Sequence, residues 1–122
     1  ADTLQGGEGR DTLIGGLDGD IFRFANIAES APGAADTVAD FVAGLDILDL
    51  AFIDANAALL GNQAFVFRGV AGDPRFFSAG DLWGKAVGGD LELKADVTGD
   101  GVVDFHLVLS GISAIAGSDI LL

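Results

Sequence analysis

Short apolar segments separated by turns rich in glycine and aspartate run along the whole chain. In residues 91–96, leucine or alanine alternates with charged residues, which is the period of a strand with one buried face. Other apolar segments are bounded by Gly, Asp, Asn or Pro, which is typical of strands in a compact β domain. They are residues 21–24, 37–41, 47–50 and 64–67. The pattern therefore predicts an all-β fold.

Turn and end signals refine this prediction. Asp100-Gly101 is a turn signal that precedes the apolar residues 102–109, so this segment and residues 91–96 are expected to form an antiparallel hairpin. A last strand is expected at residues 120–122. Residues 54–60, followed by Gly61, are the one segment compatible with a turn or two of helix. We thus predict a compact antiparallel or mixed β domain with at most one short helix.

A nine-residue repeat occupies the beginning of the chain. Asp2, Asp11 and Asp20 are nine residues apart. Residues 6–11 match the pattern G-G-x-G-x-D, and residues 15–20 match it with an aspartate in place of the third glycine. A large apolar residue stands two places after each repeat aspartate and is expected to point into the core; these residues are Leu4, Leu13 and Phe22.

The repeat divides the chain into two regions. We predict a truncated repeat array at residues 1–24 and a β domain at residues 25–122, packed together as one structural unit. The chain is expected to begin inside an earlier copy of the repeat.

Composition narrows the set of partners. The chain has 122 residues, of which 19 are acidic and 6 are basic, so its net charge is −13. Half of the residues are apolar, which argues against a disordered acidic tail. The negative charge repels nucleic acid and anionic membranes and favours metal cations. Residues 105–118, the longest uncharged stretch, are too few and too polar to insert into a bilayer.

The available ligand atoms favour calcium over zinc. The chain has no cysteine and only one histidine, so we expect it to bind no zinc. Calcium takes six to eight oxygens, which backbone carbonyls and aspartates in glycine turns can supply. Two carboxylates ~4 Å apart at an effective dielectric constant of ~20 repel each other by roughly 4 kcal/mol, so such turns should need a cation to close. The alternative is that these are ordinary turns without a metal.

Residues 2–22 resemble the parallel β-roll of RTX proteins, in which consecutive repeats lie on opposite sides of the coil. The resemblance implies that the carboxylates sharing one ion are 18 residues apart, and it implies two or three calcium ions. One ion would lie between Asp2 and the set Gly15, Leu17 and Asp20. A second would use Gly7, Gly9 and Asp11 together with Asn26 and Glu29. A third possible group pairs Gly16, Asp18 and Asp20 with Asp36, out of register by two.

The rest of the chain resembles the C-terminal domain of serralysin-type metalloproteases. The residues that carry the resemblance are 40–50, 53–56, 61–65, 79–82 and 99–105. The resemblance implies a noncatalytic, calcium-dependent module of a secreted, extracellular bacterial enzyme, with the catalytic domain on the N-terminal side. Residues 119–122, an aspartate followed by apolar residues, are similar to the terminal signal read by type I secretion machinery.

Several features favour simpler interpretations. Residues 96–104 resemble the start of an EF-hand loop, but Leu107 occupies the position of the bidentate Glu. A hairpin turn is therefore predicted rather than a calcium site. His106 is expected to be a surface or hydrogen-bonded residue. The aromatic residues Phe76, Phe77 and Trp83 are expected to pack in the core rather than bind sugars.

The sequence contains no H-E-x-x-H or G-x-S-x-G motif, so we predict no catalytic site in this chain. Two other functions stay open. The chain can be a module that attaches its parent to polysaccharide or a cell surface, or one piece of an enzyme whose catalytic part is a separate polypeptide.

Overall fold

A computed structural model of the protein describes residues 1–70, 72, 74 and 77–122. The strands in these residues form two β-sheets. The first sheet has the order β1 (Thr3–Leu4), β3 (Ile21–Arg23), β5 (Ile47–Asp49) and β10 (Ile120–Leu121), and all its neighbours are parallel. The second has the order β2 (Thr12–Leu13), β4 (Asp36–Val38), β9 (Phe105–Leu109), β8 (Asp90–Ala95), β7 (Asp81–Val87) and β6 (Val66–Val70).

The first five strands alternate between the two sheets along the chain. In the first sheet, Thr3 of β1 pairs with Ile21 of β3, 18 residues later. In the second sheet, β2 pairs in parallel with β4, and β4 with β9. This winding confirms the parallel roll expected from the repeats. Each sheet contains strands from residues 1–24 and from residues 25–122, and the boundary between those two regions stays a prediction.

An antiparallel meander completes the second sheet. Strands β7, β8 and β9 are antiparallel neighbours, with Leu93 opposite Gly84 on one side and Leu107 on the other. The hairpin expected from the Asp100-Gly101 turn is therefore confirmed. Strand β9 begins at Phe105 rather than at residue 102, and just before it the Asp104 carboxylate accepts hydrogen bonds from the turn residues Val97 and Thr98.

Apolar side chains from both sheets form one core. Phe22, Leu48 and Leu107 are fully buried, and the rings of Phe24 and Phe105 meet edge to face with centroids 5.7 Å apart. Of the three apolar repeat residues, Phe22 and Leu13 are buried, while Leu4 packs partly buried against the core. Burial of these side chains positions the repeat turns at the ends of the strands.

Residues 54–60 form turns and no helix, which is within the prediction of at most one short helix. The Asp54 carboxylate accepts hydrogen bonds from the backbone N–H groups of Asn56 (3.1 Å) and Gln63 (3.0 Å). The Asn56 side chain likewise accepts from Ala58 N (3.1 Å). Short polar side chains that bond nearby backbone compete with helix formation, which explains why no helix forms here.

The helices found among the described residues are two short 3-10 segments, Ile27–Ser30 and Gly117–Asp119. No helix among the described residues is long and apolar enough to cross a membrane.

Candidate metal centre

Left-handed backbone shapes the repeat turns. Gly7 and Gly9 before β2 have φ values of +83° and +99°, and Gly16 before β3 has +90°. Asp18 is also left-handed, with φ +74°, at the position where the pattern has glycine. Aspartate tolerates this conformation better than most residues do. The turns therefore keep the shape of the nonapeptide pattern despite the substitution.

Two of the ligands predicted for the first ion, Asp2 and Asp20, meet at the ends of β1, β3 and β5, and Gly15 lies beside Asp20. The backbone N–H of Asp2 donates to Asp20 Oδ1 (2.7 Å), and the N–H of Asp20 donates to Asp46 Oδ1 (2.9 Å). Asp20 and Asp46 are both buried. The three aspartates form a row across the beginnings of these neighbouring strands, which we call the Asp20 column.

A second column lies at the ends of β2 and β4. The backbone N–H of Asp11 donates to Asp36 Oδ1 (2.7 Å), and Asp36 is fully buried. Asp36 N in turn donates to the Ser30 hydroxyl (2.9 Å). We call this pair the Asp11 column.

Glu29 and Asn26, the expected partners of Asp11, make other contacts. Glu29 Oε1 accepts from Gln5 Nε2 (2.6 Å), and its second oxygen accepts from Ala25 N. Asn26 caps the first 3-10 helix by accepting from Ala28 N (3.0 Å). Glu29 is buried, and its charge acts on Asp36, so it belongs to the surroundings of the Asp11 column.

The register explains why Asp36 stands beside Asp11 and not beside Asp20. The offset between Asp11 and Asp36 is 25 residues, seven more than the 18 of the regular repeat. The 3-10 helix at Ile27–Ser30 and its flanking loops take up the extra residues. The grouping of Asp18 and Asp20 with Asp36 is therefore not formed: Asp20 contacts Asp2 and Asp46, and Asp18 is exposed in its turn.

Three carboxylate oxygens in these columns have no hydrogen-bond partner among the described residues, although they are buried. They are the Oδ2 atoms of Asp11, Asp20 and Asp36. A buried, unpaired charged oxygen is expensive, because it has lost its hydration without gaining a donor. A cation shared by such oxygens removes that cost. All the donors are oxygens, which suits calcium.

Glycine keeps the space next to these oxygens open. A Cβ atom at Gly6 would lie 2.7 Å from Asp11 Oδ2, and a Cβ atom at Gly15 would lie 2.5 Å from Asp20 Oδ2. Each repeat therefore combines a buried, unpaired oxygen with a position that a side chain cannot occupy. The residues present fit a bound cation.

Electrostatics at Asp36 agree with this interpretation. Burial raises the pKa of the Asp36 carboxyl above its ordinary value; the hydrogen bond from Asp11 N opposes this shift, while the negative charges of Asp11 and Glu29 add to it. Without a cation, the folded state thus disfavours the charged form of Asp36.

The sequence of the chain is similar to that of known proteins. A family model described as the C-terminal region of the peptidase M10 serralysins matches residues 2–122. The chain belongs to this family. It is 38% identical over 96 residues to the metallopeptidase AprA of Pseudomonas marginalis, a match that covers 78% of the chain but 18% of that protein. This serralysin C-terminal chain therefore spans less than a fifth of the length of that relative.

The fold also resembles a solved β-roll. The solution structure of the AlgE6R3 subunit from the Azotobacter vinelandii mannuronan C5-epimerase superposes with a TM-score of 0.59 at 25% identity. The match covers 98% of the serralysin C-terminal chain and 61% of the epimerase subunit.

A third acidic group lies in the turn between β8 and β9. Asp96, Asp100 and Asp104 can each place one carboxylate oxygen within 4.8 Å of the others, a spacing that can hold a metal ion. Burial acts to raise the pKa of Asp96, but hydrogen bonds from Gly99, Gly101 and Thr98 outweigh it and lower the pKa. Backbone donors thus already stabilise the Asp96 charge. A hairpin turn rather than a calcium site stays our prediction for this serralysin loop.

Two residues of the site region were not predicted as ligands. Asp40 accepts from the N–H groups of Gly15 (2.9 Å) and Gly16 (2.7 Å) and holds that turn closed. Asp46 lies in the Asp20 column. A sequence signal for the columns exists: Asp-Thr-Leu at residues 11–13 recurs as Asp-Thr-Val at 36–38, and Asp-Ile-Phe at 20–22 recurs as Asp-Ile-Leu at 46–48.

The side chains of the remaining candidate residues make other contacts. His106 Nε2 lies 2.5 Å from Glu92 Oε1, as expected for a hydrogen-bonded histidine. Trp83 is buried, and its ring centroid is 4.4 Å from that of Phe77. Phe76 lies outside the described residues.

Proposed function

We propose that this chain is a noncatalytic, calcium-binding module that folds on binding calcium, at the C-terminal end of a secreted serralysin-type metalloprotease. The observation that carries the proposal is the set of buried Oδ2 atoms of Asp11, Asp20 and Asp36 that lack a hydrogen-bond donor. Membership of the serralysin C-terminal family supports the protease parent.

Two calcium ions are assigned to the two columns. In the Asp20 column, Asp2 and Asp20 would hold one ion with the backbone oxygens of Gly15 and Leu17. In the Asp11 column, Asp11 and Asp36 would hold the other with the backbone oxygens of Gly7 and Gly9. Bound calcium supplies positive charge that neutralises the paired carboxylates. The glycines keep room for it, and the backbone N–H groups orient the carboxylates.

Calcium-linked folding suits export. At low cytosolic calcium, repulsion within the columns keeps the chain open, which favours passage through type I secretion machinery. Outside the cell, calcium closes the turns and the module folds. The catalytic zinc chemistry of the parent would reside in a domain N-terminal to this chain, consistent with the small share of the AprA relative that the chain matches.

Attachment to polysaccharide is the competing function. The structural neighbour is part of an enzyme named for mannuronan, a polysaccharide. An exposed aromatic platform would favour this function, but Trp83 is only 2% exposed. We therefore keep glycan retention as an outcome to be measured.

Calcium binding by the purified chain tests the proposal. We expect isothermal titration of calcium-free chain to show about two ions with dissociation constants of about 10⁻⁴ to 10⁻³ M. Magnesium is the matched control, since it demands a smaller octahedral site and should bind far less. No calcium binding at 10 mM would refute the proposal, and retention on a glycan column in its place would support the competing function.

A further inference from the structure

The last residues of the chain are built into the roll. Strand β10 lies at the edge of the first sheet, with Ile120 opposite Leu48 of β5. Leu50 N donates to Leu121 O (2.9 Å), and the Ile120 side chain is buried. The terminal segment of residues 119–122 is thus partly hidden in the folded protein.

Asp119 attaches this segment to a turn of the roll. Its Oδ1 accepts from Gly44 N (2.8 Å), and its Oδ2 accepts from Ala116 N (2.9 Å). The residue is 4% exposed, and both oxygens have donors. Carboxylates bonded to backbone N–H groups make stronger hydrogen bonds than neutral acceptors do. Asp119 therefore holds the turn at residues 42–46 against the C-terminal strand.

The same turn carries Asp46, the last member of the Asp20 column. Asp46 Oδ1 accepts from Asp20 N (2.9 Å), and its Oδ2 accepts from Val42 N (2.7 Å). One five-residue turn is therefore held on one side by the column and on the other by Asp119. Beside it, Ile47 N donates to Asp20 O (2.8 Å), which begins the pairing of β3 with β5.

We propose that Asp119 locks the C-terminal strand to this turn, so that cation binding at Asp20 and burial of residues 119–122 form one coupled equilibrium. The inference rests on the proposed function. In the calcium-free chain, residues 119–122 are released from their pairing with β5 and become accessible. The calcium-bound chain withdraws them.

Coupling between two sites is reciprocal, which makes the lock measurable from both ends. Calcium must protect the terminal strand from hydrogen exchange. Loss of the Asp119 hydrogen bonds must, in turn, weaken calcium binding. A strand that docks independently of the column would show neither effect.

Hydrogen exchange across a calcium titration of the intact chain tests the first effect. We expect the amides of residues 120–122 to become protected with the same calcium midpoint as those of β3 and β5. Protection of β3 and β5 without protection of the terminal strand, or terminal protection without calcium, would overturn the lock alone. No calcium effect on any strand would instead overturn the proposed function, and the lock with it.

The variant Asp119→Asn tests the second effect. The substitution replaces one acceptor with a donor, so we expect the calcium midpoint of folding to rise about fivefold or more. Asp90→Asn is the matched control, because Asp90 is a partly exposed residue at the start of β8, outside both columns, and its carboxylate accepts from Gly111 N (3.0 Å). An unchanged midpoint in Asp119→Asn overturns the lock. If the variant does not fold, the exchange measurement on the unmodified chain decides.

Discussion

We expect the calcium-free chain at neutral pH to lose most of its β-sheet circular dichroism, and millimolar calcium to restore it. The reason is the charge held in the two columns, where buried carboxylate oxygens of Asp11, Asp20 and Asp36 lack donors. Without a cation, closing the turns buries this charge unpaired, and the net charge of −13 adds a general repulsion.

The size of the effect follows from mass action. At a calcium concentration ten times the dissociation constant, each site stabilises the fold by about 1.4 kcal/mol, so two sites contribute about 3 kcal/mol. Small domains have a total stability of about 5–15 kcal/mol. Carboxylate repulsion separately lowers the stability of the calcium-free fold, by roughly 4 kcal/mol for a pair ~4 Å apart. Together these terms decide whether the chain folds.

Trp83 provides a second signal for the same transition. It is 2% exposed in the folded protein, so its fluorescence should shift to the red when calcium is removed. Sodium chloride at matched ionic strength is the control, because general screening alone should restore little structure. An identical, stable fold in EGTA and in calcium would contradict the account.

The variant Asp36→Asn is expected to stabilise the calcium-free fold while weakening calcium binding. Asp36 is fully buried, and burial, together with the charges of Asp11 and Glu29, raises its pKa despite the hydrogen bond from Asp11 N. Asparagine keeps an oxygen for that hydrogen bond and removes the buried charge. We expect a gain of about 1–3 kcal/mol in calcium-free folding at pH 7.

The stability of the calcium-free, unmodified chain should fall as pH rises, in keeping with a destabilising Asp36 charge. Because the folded-state pKa of Asp36 lies above its unfolded value, the calcium-free folded state binds the proton more tightly. Stability from this group is therefore present at low pH and is lost as pH rises through the folded-state pKa. The variant should lack this dependence at pH values above the ordinary range of an aspartate.

Folding by trimethylamine N-oxide without calcium measures the difference even where the chain is largely unfolded in buffer. Asp36→Asn should fold at a lower osmolyte concentration than the unmodified chain at pH 7. Asp90→Asn, which removes the same charge at a partly exposed turn, should shift the midpoint little. A variant that needs as much osmolyte as the unmodified chain would show that the Asp36 charge is not a barrier to folding.

The roll and the hairpin could be predicted from local patterns. The nine-residue spacing of aspartates predicts parallel pairing at 18 residues, as Thr3 and Ile21 show. Alternation in residues 91–96 and the turn at Asp100 predict the hairpin of β8 and β9. Both rest on regular periods that the backbone geometry of strands and turns imposes directly.

The partner of Asp11 could not be predicted by extending the period. An insertion that includes the helix Ile27–Ser30 shifts the pairing to Asp36, and its length has no regular signature in the sequence. The recurrence of Asp-Thr-Val at residues 36–38 was the available signal. The contact between Gly44 and Asp119 joins residues 75 positions apart, so no local pattern reports it.

A crystal structure of the chain grown in millimolar calcium, with anomalous scattering data, tests whether the two columns hold calcium. We expect an anomalous peak about 2.3–2.6 Å from Asp20 Oδ2 and another at the same distance from the Oδ2 atoms of Asp11 and Asp36. Ordered water alone, or no density, next to all three oxygens would contradict this expectation.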